Sequence, residues 1–405
     1  MTVIYEPHNP LLDHLTDYPF DRLRALLGPI DPPSGREATV LSIGEPRHRP
    51  PAFLQTELTR DLSLWGKYPP VDGTPEFRAA VGGWLARRYG LQTLDADSQV
   101  LPLCGTREGL YMAAQLAMPP KIGHKPKPIV LSPNPFYQVY SGAGVMAGAE
   151  VRFLDSTAES GFLPDLDSLD DATLARTVVF YLCSPANPQG AIADEAYLAR
   201  ALTLARTHNF LLVVDECYAE LYDRAPPPGA LAEAEKTGSF NNLLVFHSLS
   251  KRSNAAGLRS GFVAGDPDLI KRFRRLRSYG GATLPVPVMA ASAALWADDD
   301  HVAENRRLYR EKFDLAESLM AGRFGFFRPQ GGFFLWLDVE DGEAAAAALW
   351  REAAIRVLPG AYLSKDSAEG GNPGQAYIRV ALVDPIDRLE PALGALVKVL
   401  STAGG

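Results

Sequence analysis

The sequence predicts an α/β fold, a large domain with a mostly parallel seven-stranded sheet plus a smaller α+β domain. Three observations carry this. Seven short, β-rich apolar runs lie between Val100 and Gly265, and several are unbroken, such as "TVVFYLC" and "FLLVVD". Unbroken apolar runs suit strands covered on both faces. Longer helical patterns separate them, and alternation of that kind builds a doubly wound parallel sheet. After Pro287 the alternation becomes less strict.

Taken in order, residues 1–45 hold Pro-rich pieces too short to bury a core of their own, so they are expected to join the C-terminal domain. Residues 46–287 form the large domain. Its expected strands are Val100–Leu103, Pro128–Ser132, Glu150–Leu154, Thr177–Cys183, Phe210–Asp215, Leu243–His247 and Gly261–Gly265. Its clearest helices are Arg107–Met118, Glu195–Thr207 and Pro267–Ser278. Residues 288–405 form the small domain. A long helical stretch, Val288–Met320, opens it. "FFLWLDV", an Ala-rich helix near Glu343–Ala354, a strand at Tyr377–Leu382 and a last helix follow. "LGPIDPPSG", "MPPKIGHKPKP" and "RAPPPG" read as connectors.

Composition narrows the function. The 405 residues carry 40 basic and 48 acidic side chains, a net charge of -8. Nucleic acid is a poor partner for such a chain. Three cysteines (Cys104, Cys183, Cys217) are too few for a disulfide framework and read as buried thiols. There is no secretory signal and no apolar run long enough for a membrane helix, so the expected location is the cytoplasm. Seven histidines lack metal-ligand spacing, and no metal is expected.

Five segments could carry chemistry. In "HSLSKRSNAAGLRSGFVAG", a strand end is followed by Ser248, Ser250, Lys251 and Arg259. Ligands of open α/β sheets bind beyond strand carboxyl ends, and hydroxyls with a guanidinium suit a phosphate there. The plain alternative is a solvated loop. Asp215 ends the buried run "FLLVVD". It either pairs with a protonated heteroaromatic nitrogen, with Tyr218 near the same ligand, or caps the next helix. Asn187 sits in a strand-tip turn. Gly105–Thr106 begins a helix whose free N–H groups can hold an anion. Arg379 lies inside the apolar strand "YIRVAL". It needs an anion, either a structural carboxylate or a substrate carboxylate.

The joint order of these segments resembles the class I/II aminotransferases of fold type I, which use pyridoxal 5'-phosphate (PLP). "SLSK" is followed eight residues later by the Arg of "GLRSG"; "DECY" stands 36 residues before the Lys and "SPANP" 28 before that. The resemblance implies that Lys251 carries the covalent link to the cofactor. It implies that Asp215 keeps the pyridine nitrogen protonated, and that Tyr218 and Asn187 donate to the ring oxygen. Tyr137 would stack on the ring. Gly105, Thr106, Ser248 and Arg259 would form the phosphate cup, and Tyr68 would reach the phosphate of a neighbouring subunit in a homodimer with shared sites. Gly44 and Arg379 would bind the substrate α-carboxylate. Ala186 and Gln189 depart from the usual Gly and Thr of the "SPANPQG" turn.

Finer wording, including "GTREGLYMAAQ" and "SLSKRSNAAGLRSGFVAGD", is similar to succinyldiaminopimelate aminotransferases of bacterial lysine biosynthesis. That implies exchange of an amino group between glutamate and N-succinyl-2-amino-6-oxopimelate. Such substrates carry extra carboxylates, for which Arg107 is the first candidate and Arg47 and Arg49 weaker ones. Aspartate, aromatic and LL-diaminopimelate aminotransferases, and a PLP-dependent C–S β-lyase, share the same Lys/Asp/Arg set. A regulator on this fold would carry an N-terminal DNA-binding domain, and the residues before "SIGEP" show no such pattern.

Overall fold

The computed structural model describes residues 7–120, 126–367 and 370–403. Its centre is a seven-stranded sheet. The strands are β1 (Val100–Leu103), β2 (Ile129–Asn134), β3 (Glu150–Asp155), β4 (Thr177–Cys183), β5 (Leu211–Asp215), β6 (Leu243–Ser248) and β7 (Gly261–Gly265), in the order β1-β7-β6-β5-β4-β2-β3. Only β7 runs against its neighbours. Strands β1, β2, β5, β6 and β7 are buried along their whole length, as their unbroken apolar runs require. The connector expected at "MPPKIGHKPKP" includes 121–125, which lie outside the described residues.

Helices cover both faces. They include α1 (Pro19–Leu27), α2 (Phe53–Thr59), α3 (Pro75–Tyr89), α4 (Thr106–Ala117), α5 (Gln138–Ala147), α6 (Glu195–Thr207), α7 (Leu249–Arg252) and α8 (Pro267–Gly280). The last bears "KRFRRLR" and buries Ile270 and Phe273 on one face. The stretch expected as one helix from Val288 to Met320 is two, α9 (Val286–Ala297) and α10 (Asp300–Met320). The break has a cause in Arg252. Its guanidinium donates to the carbonyls of Leu295 (2.6 Å) and Asp298 (3.0 Å), ending α9, and pairs with Asp299 at 2.8 Å.

Helix α9 is apolar nearly all round and packs against α2 and α3 in the core of the large sheet. The change of core therefore falls at Asp298–Asp299, not at Pro287. Helix α10 then spans two cores. Tyr309 packs with Phe333, Phe334 and Tyr218, while Phe313, Ala316 and Met320 enter the small domain. That domain holds a three-stranded antiparallel sheet, β8 (Phe334–Asp338), β9 (Leu358–Pro359) and β10 (Tyr377–Ala381), with α11 (Gly342–Ala353) and α12 (Ile386–Ala403). Thr39–Val40 pairs in parallel with Ile355–Arg356, and Leu23 and Leu27 pack with Trp336 and Trp350.

Candidate active site

The carboxyl ends of β2, β4, β5 and β6 open on a single cavity of about 350 Å³. The cavity collects Gly44, Thr106, Arg107, Tyr137, Asn187, Asp215, Tyr218, Ser248, Lys251, Arg259 and Arg379 from segments far apart in sequence. Cys183 and Cys217 also line it. The three thiols are not uniformly buried: Cys104 and Cys217 are only partly covered.

Lys251 projects into the cavity from the short helix α7, and its Nζ donates to the Gly44 carbonyl. Burial pushes its pKa down to about 8, partly offset by Cys217. A lysine near neutrality is a ready nucleophile and proton carrier. Gly44 has no room for a side chain, since a Cβ there would meet the Phe334 and Phe333 rings.

Asp215, at the tip of β5, is 6% exposed. Its Oδ2 accepts from the Tyr140 hydroxyl at 2.8 Å and its Oδ1 from the Cys217 N–H at 3.1 Å. Burial pushes its pKa up, and these two donors pull it back. No Lys or Arg among the described residues pairs with this carboxylate. A buried carboxylate without a cation is costly, and a protonated pyridine nitrogen would supply the missing charge.

The other end of the cavity is built for an anion. Gly105 precedes α4 with φ +79°, and a Cβ there would collide with the Arg259 guanidinium. The N-terminus of α4 therefore lies open beside that cation. Thr106, Ser248 and Ser250 add hydroxyls; Ser248 Oγ donates to Ser250 Oγ at 3.0 Å. The Tyr137 ring lines the same cavity, and its hydroxyl accepts from Arg107 Nε at 2.8 Å. A phosphate dianion, an aromatic face and a ring nitrogen each meet a complementary group, so the residues fit PLP.

Arg379 is 5% exposed on β10. Nη1 donates to Asn187 Oδ1 (3.1 Å) and Nη2 to the Ser42 carbonyl (2.8 Å), while Nε has no partner. Burial pushes its pKa down to about 10. No structural carboxylate among the described residues pairs with it. The structural carboxylate, one of the two sequence alternatives, is therefore not seen among the described residues. Arg379→Lys, which loses the planar fork, is expected to lower kcat/KM about 100-fold in steady-state assays.

Arg107 stands at the cavity rim. Arg47 pairs instead with buried Asp384, and Arg49 is exposed. Tyr68 is fully exposed and lies away from the cavity. Two contributors were not singled out from sequence. Tyr140 orients Asp215; its position three residues after Tyr137, one helical turn along α5, was the available signal. Cys217 is the other: its Sγ lies 3.3 Å from Thr106 Oγ1 and joins the anion end to the Asp215 end.

Comparison with known proteins agrees with this geometry. Residues 36–395 match the family "Aminotransferase class I and II". A 4-dedimethylamino-4-oxo-anhydrotetracycline transaminase of Streptomyces rimosus is 34% identical over 88% of this chain and 92% of its own. An LL-diaminopimelate aminotransferase of Desulforudis audaxviator is 32% identical over 95% of each. The crystal structure of an aminotransferase from Neisseria meningitidis superposes with a TM-score of 0.92 at 43% identity, covering 97% of this chain and 100% of that one. No helix among the described residues is long and apolar enough to cross a membrane. Buried cavity lysine, cationless aspartate, anion cup and family match converge: the chain belongs to the class I and II aminotransferases, enzymes dependent on pyridoxal 5'-phosphate.

Proposed function

We propose that this aminotransferase exchanges an amino group between glutamate and N-succinyl-2-amino-6-oxopimelate, acting as a homodimer. The observation that carries the substrate class is a cavity with two arginines at different depths besides Arg259 at the anion end. Arg379 is deep and carries no carboxylate, and Arg107 stands at the rim beside Tyr137. Two cations separated in this way suit a substrate with an α-carboxylate and a distal one. The similarity to LL-diaminopimelate aminotransferases supports a second reading, in which the unsuccinylated diaminopimelate is the substrate.

When bound, PLP supplies the electron sink for the pair released at the substrate's α-carbon. The protein's part is derived from its own groups. Arg379 grips the α-carboxylate and so fixes which α-bond faces Lys251. The neutral Lys251 amine takes the α-proton as general base and, as general acid, would deliver it to the cofactor's C4' carbon. Asp215, oriented by Tyr140, holds a proton on the ring nitrogen. Asn187 and Tyr218, which line the same cavity, would donate to the ring oxygen. In that homodimer, exposed Tyr68, on a segment that also exposes Leu62 and Trp65, would reach the second copy.

The test is the visible spectrum of the purified holoenzyme with each amino donor and no keto acid. Loss of the cofactor band with N-succinyl-LL-diaminopimelate, and not with LL-diaminopimelate, supports the first reading. The reverse pattern favours the second, and conversion by glutamate alone discards both. Arg107→Ala is expected to raise KM for glutamate by about 10- to 100-fold, the loss of one charged hydrogen bond. KM for an uncharged donor is expected to move far less, and equal effects would remove Arg107 from the site.

A further inference from the structure

Residues 42–49 form a strap along the edge of the cavity. The Ser42 carbonyl accepts from Arg379 and the Gly44 carbonyl from Lys251. Farther along, the strap is anchored to α10 and to the end of β10. Arg47 pairs with Asp384, and His48 is held from both ring nitrogens. Nε2 lies 2.7 Å from Lys312 Nζ and Nδ1 lies 2.8 Å from Asn305 Oδ1. Asn305 in turn donates through Nδ2 to the carbonyls of Lys251 (3.2 Å) and Arg252 (3.4 Å). Asn305 and Lys312 are each 2% exposed.

Donor and acceptor roles along this chain are fixed by elimination. An ammonium only donates, so His48 Nε2 must accept from Lys312 and carry no proton. His48 then bears its proton on Nδ1 and donates it to Asn305 Oδ1. That oxygen also accepts from Asn254 Nδ2 at 3.1 Å. The Asn305 amide nitrogen is thereby turned toward the lysine-bearing turn. A second proton on His48 would set two cations 2.7 Å apart and break the chain at its centre.

We propose that His48 is a positioning residue for Lys251, acting through Asn305, and that it works only as the neutral Nδ1–H tautomer. Acidification protonates it, loosens the strap and weakens the grip on the substrate carboxylate. The groups facing His48 are Lys312, Asn305, the Tyr309 ring at 4.6 Å and, more distantly, Glu304. Asp384 and Arg47 lie beyond Lys312. Burial and Lys312 push the His48 pKa below its ordinary value, with Asn305 and Glu304 opposing. The Lys312 pKa falls to about 8, which leaves it charged at neutral pH. The neutral histidine therefore persists through pH 7 and is lost below the ordinary histidine range.

The inference rests on the proposed roles of Lys251 and Arg379, so its test has two independent readouts. The first is nitrogen-15 NMR of the histidine-labelled apoprotein, with the His48 signal assigned by its loss in His48→Gln. An Nδ1–H tautomer at pH 7, titrating below the ordinary range, is expected; an imidazolium or an Nε2–H tautomer overturns the proposal. The second is KM for glutamate in the holoenzyme. It is expected to rise about tenfold per pH unit below the His48 midpoint, with kcat changing less. His48→Gln, which can donate and accept at both contacts but cannot take a proton, is expected to abolish that rise. Persistence of the rise in this variant overturns the proposal. Lys312→Met is the second variant and is expected to move the His48 midpoint upward; an unmoved midpoint counts against the pairing. If KM ignores Arg379→Lys while the NMR result holds, the reading of Arg379 fails and the tautomer stands.

Discussion

Replacing Lys251 by alanine is expected to cut kcat by at least about 10⁴-fold, the upper range for one positioned proton carrier. It is also expected to remove the visible band of the covalently held cofactor while phosphorus NMR still detects bound phosphate. That separation follows from the geometry. The anion end, built from Thr106, Ser248, Ser250 and Arg259, owes nothing to the lysine side chain. A titration accompanies the substitution. In the cofactor-free wild type burial pushes the Lys251 pKa down to about 8. Only the neutral amine attacks, so the rate of cofactor capture should rise about tenfold per pH unit below 8 and level off above it. A rate flat between pH 6 and pH 9 would show that the amine is already neutral.

The second large effect belongs to Asp215. Asp215→Asn keeps the shape and removes the charge. An opposite charge at about 4 Å is worth roughly 4 kcal/mol at an effective dielectric of 20, so kcat is expected to fall about 10³-fold. Single-turnover kinetics with a deuterated α-carbon check where the loss occurs. A growing isotope effect places it in proton removal, and an unchanged one would move Asp215 out of that step. Affinity for the phosphate end should move far less, because Asp215 and Arg259 sit at opposite ends of the cavity.

The sheet was legible because most of its strands, the edge strand β3 excepted, are buried on both faces. A run such as Thr177–Cys183 has no polar face to obscure it, and its ends agree between sequence and structure. The helix break at Asp298–Asp299 was not legible. It depends on Arg252, 46 residues earlier, which ends α9 by taking its last carbonyls. Arg379 could be singled out because a cation inside an apolar strand demands an explanation. Tyr140 was harder to read, because an aromatic on an apolar helix face usually packs; its spacing from Tyr137 was the one hint, and the fold brings it to Asp215. His48 and Lys312 were silent for a similar reason. A lone His and a Lys in "YREKF" gain meaning only when α10 carries one to the other.

The pairing of Thr39–Val40 with Ile355–Arg356 also has a meaning in time. A ribosome adding roughly 5–20 residues per second needs about 15–60 s to travel from one partner to the other. Through that interval the large sheet can close, since its last strand ends at Gly265. Leu23, Leu27 and Leu41 have no core to enter until the far end of the chain emerges. These three leucines, made early, are thus among the last to be buried. A nascent chain stalled before Ile355 would present a closed large sheet trailing an unprotected leader, the form most open to proteases and to unwanted association.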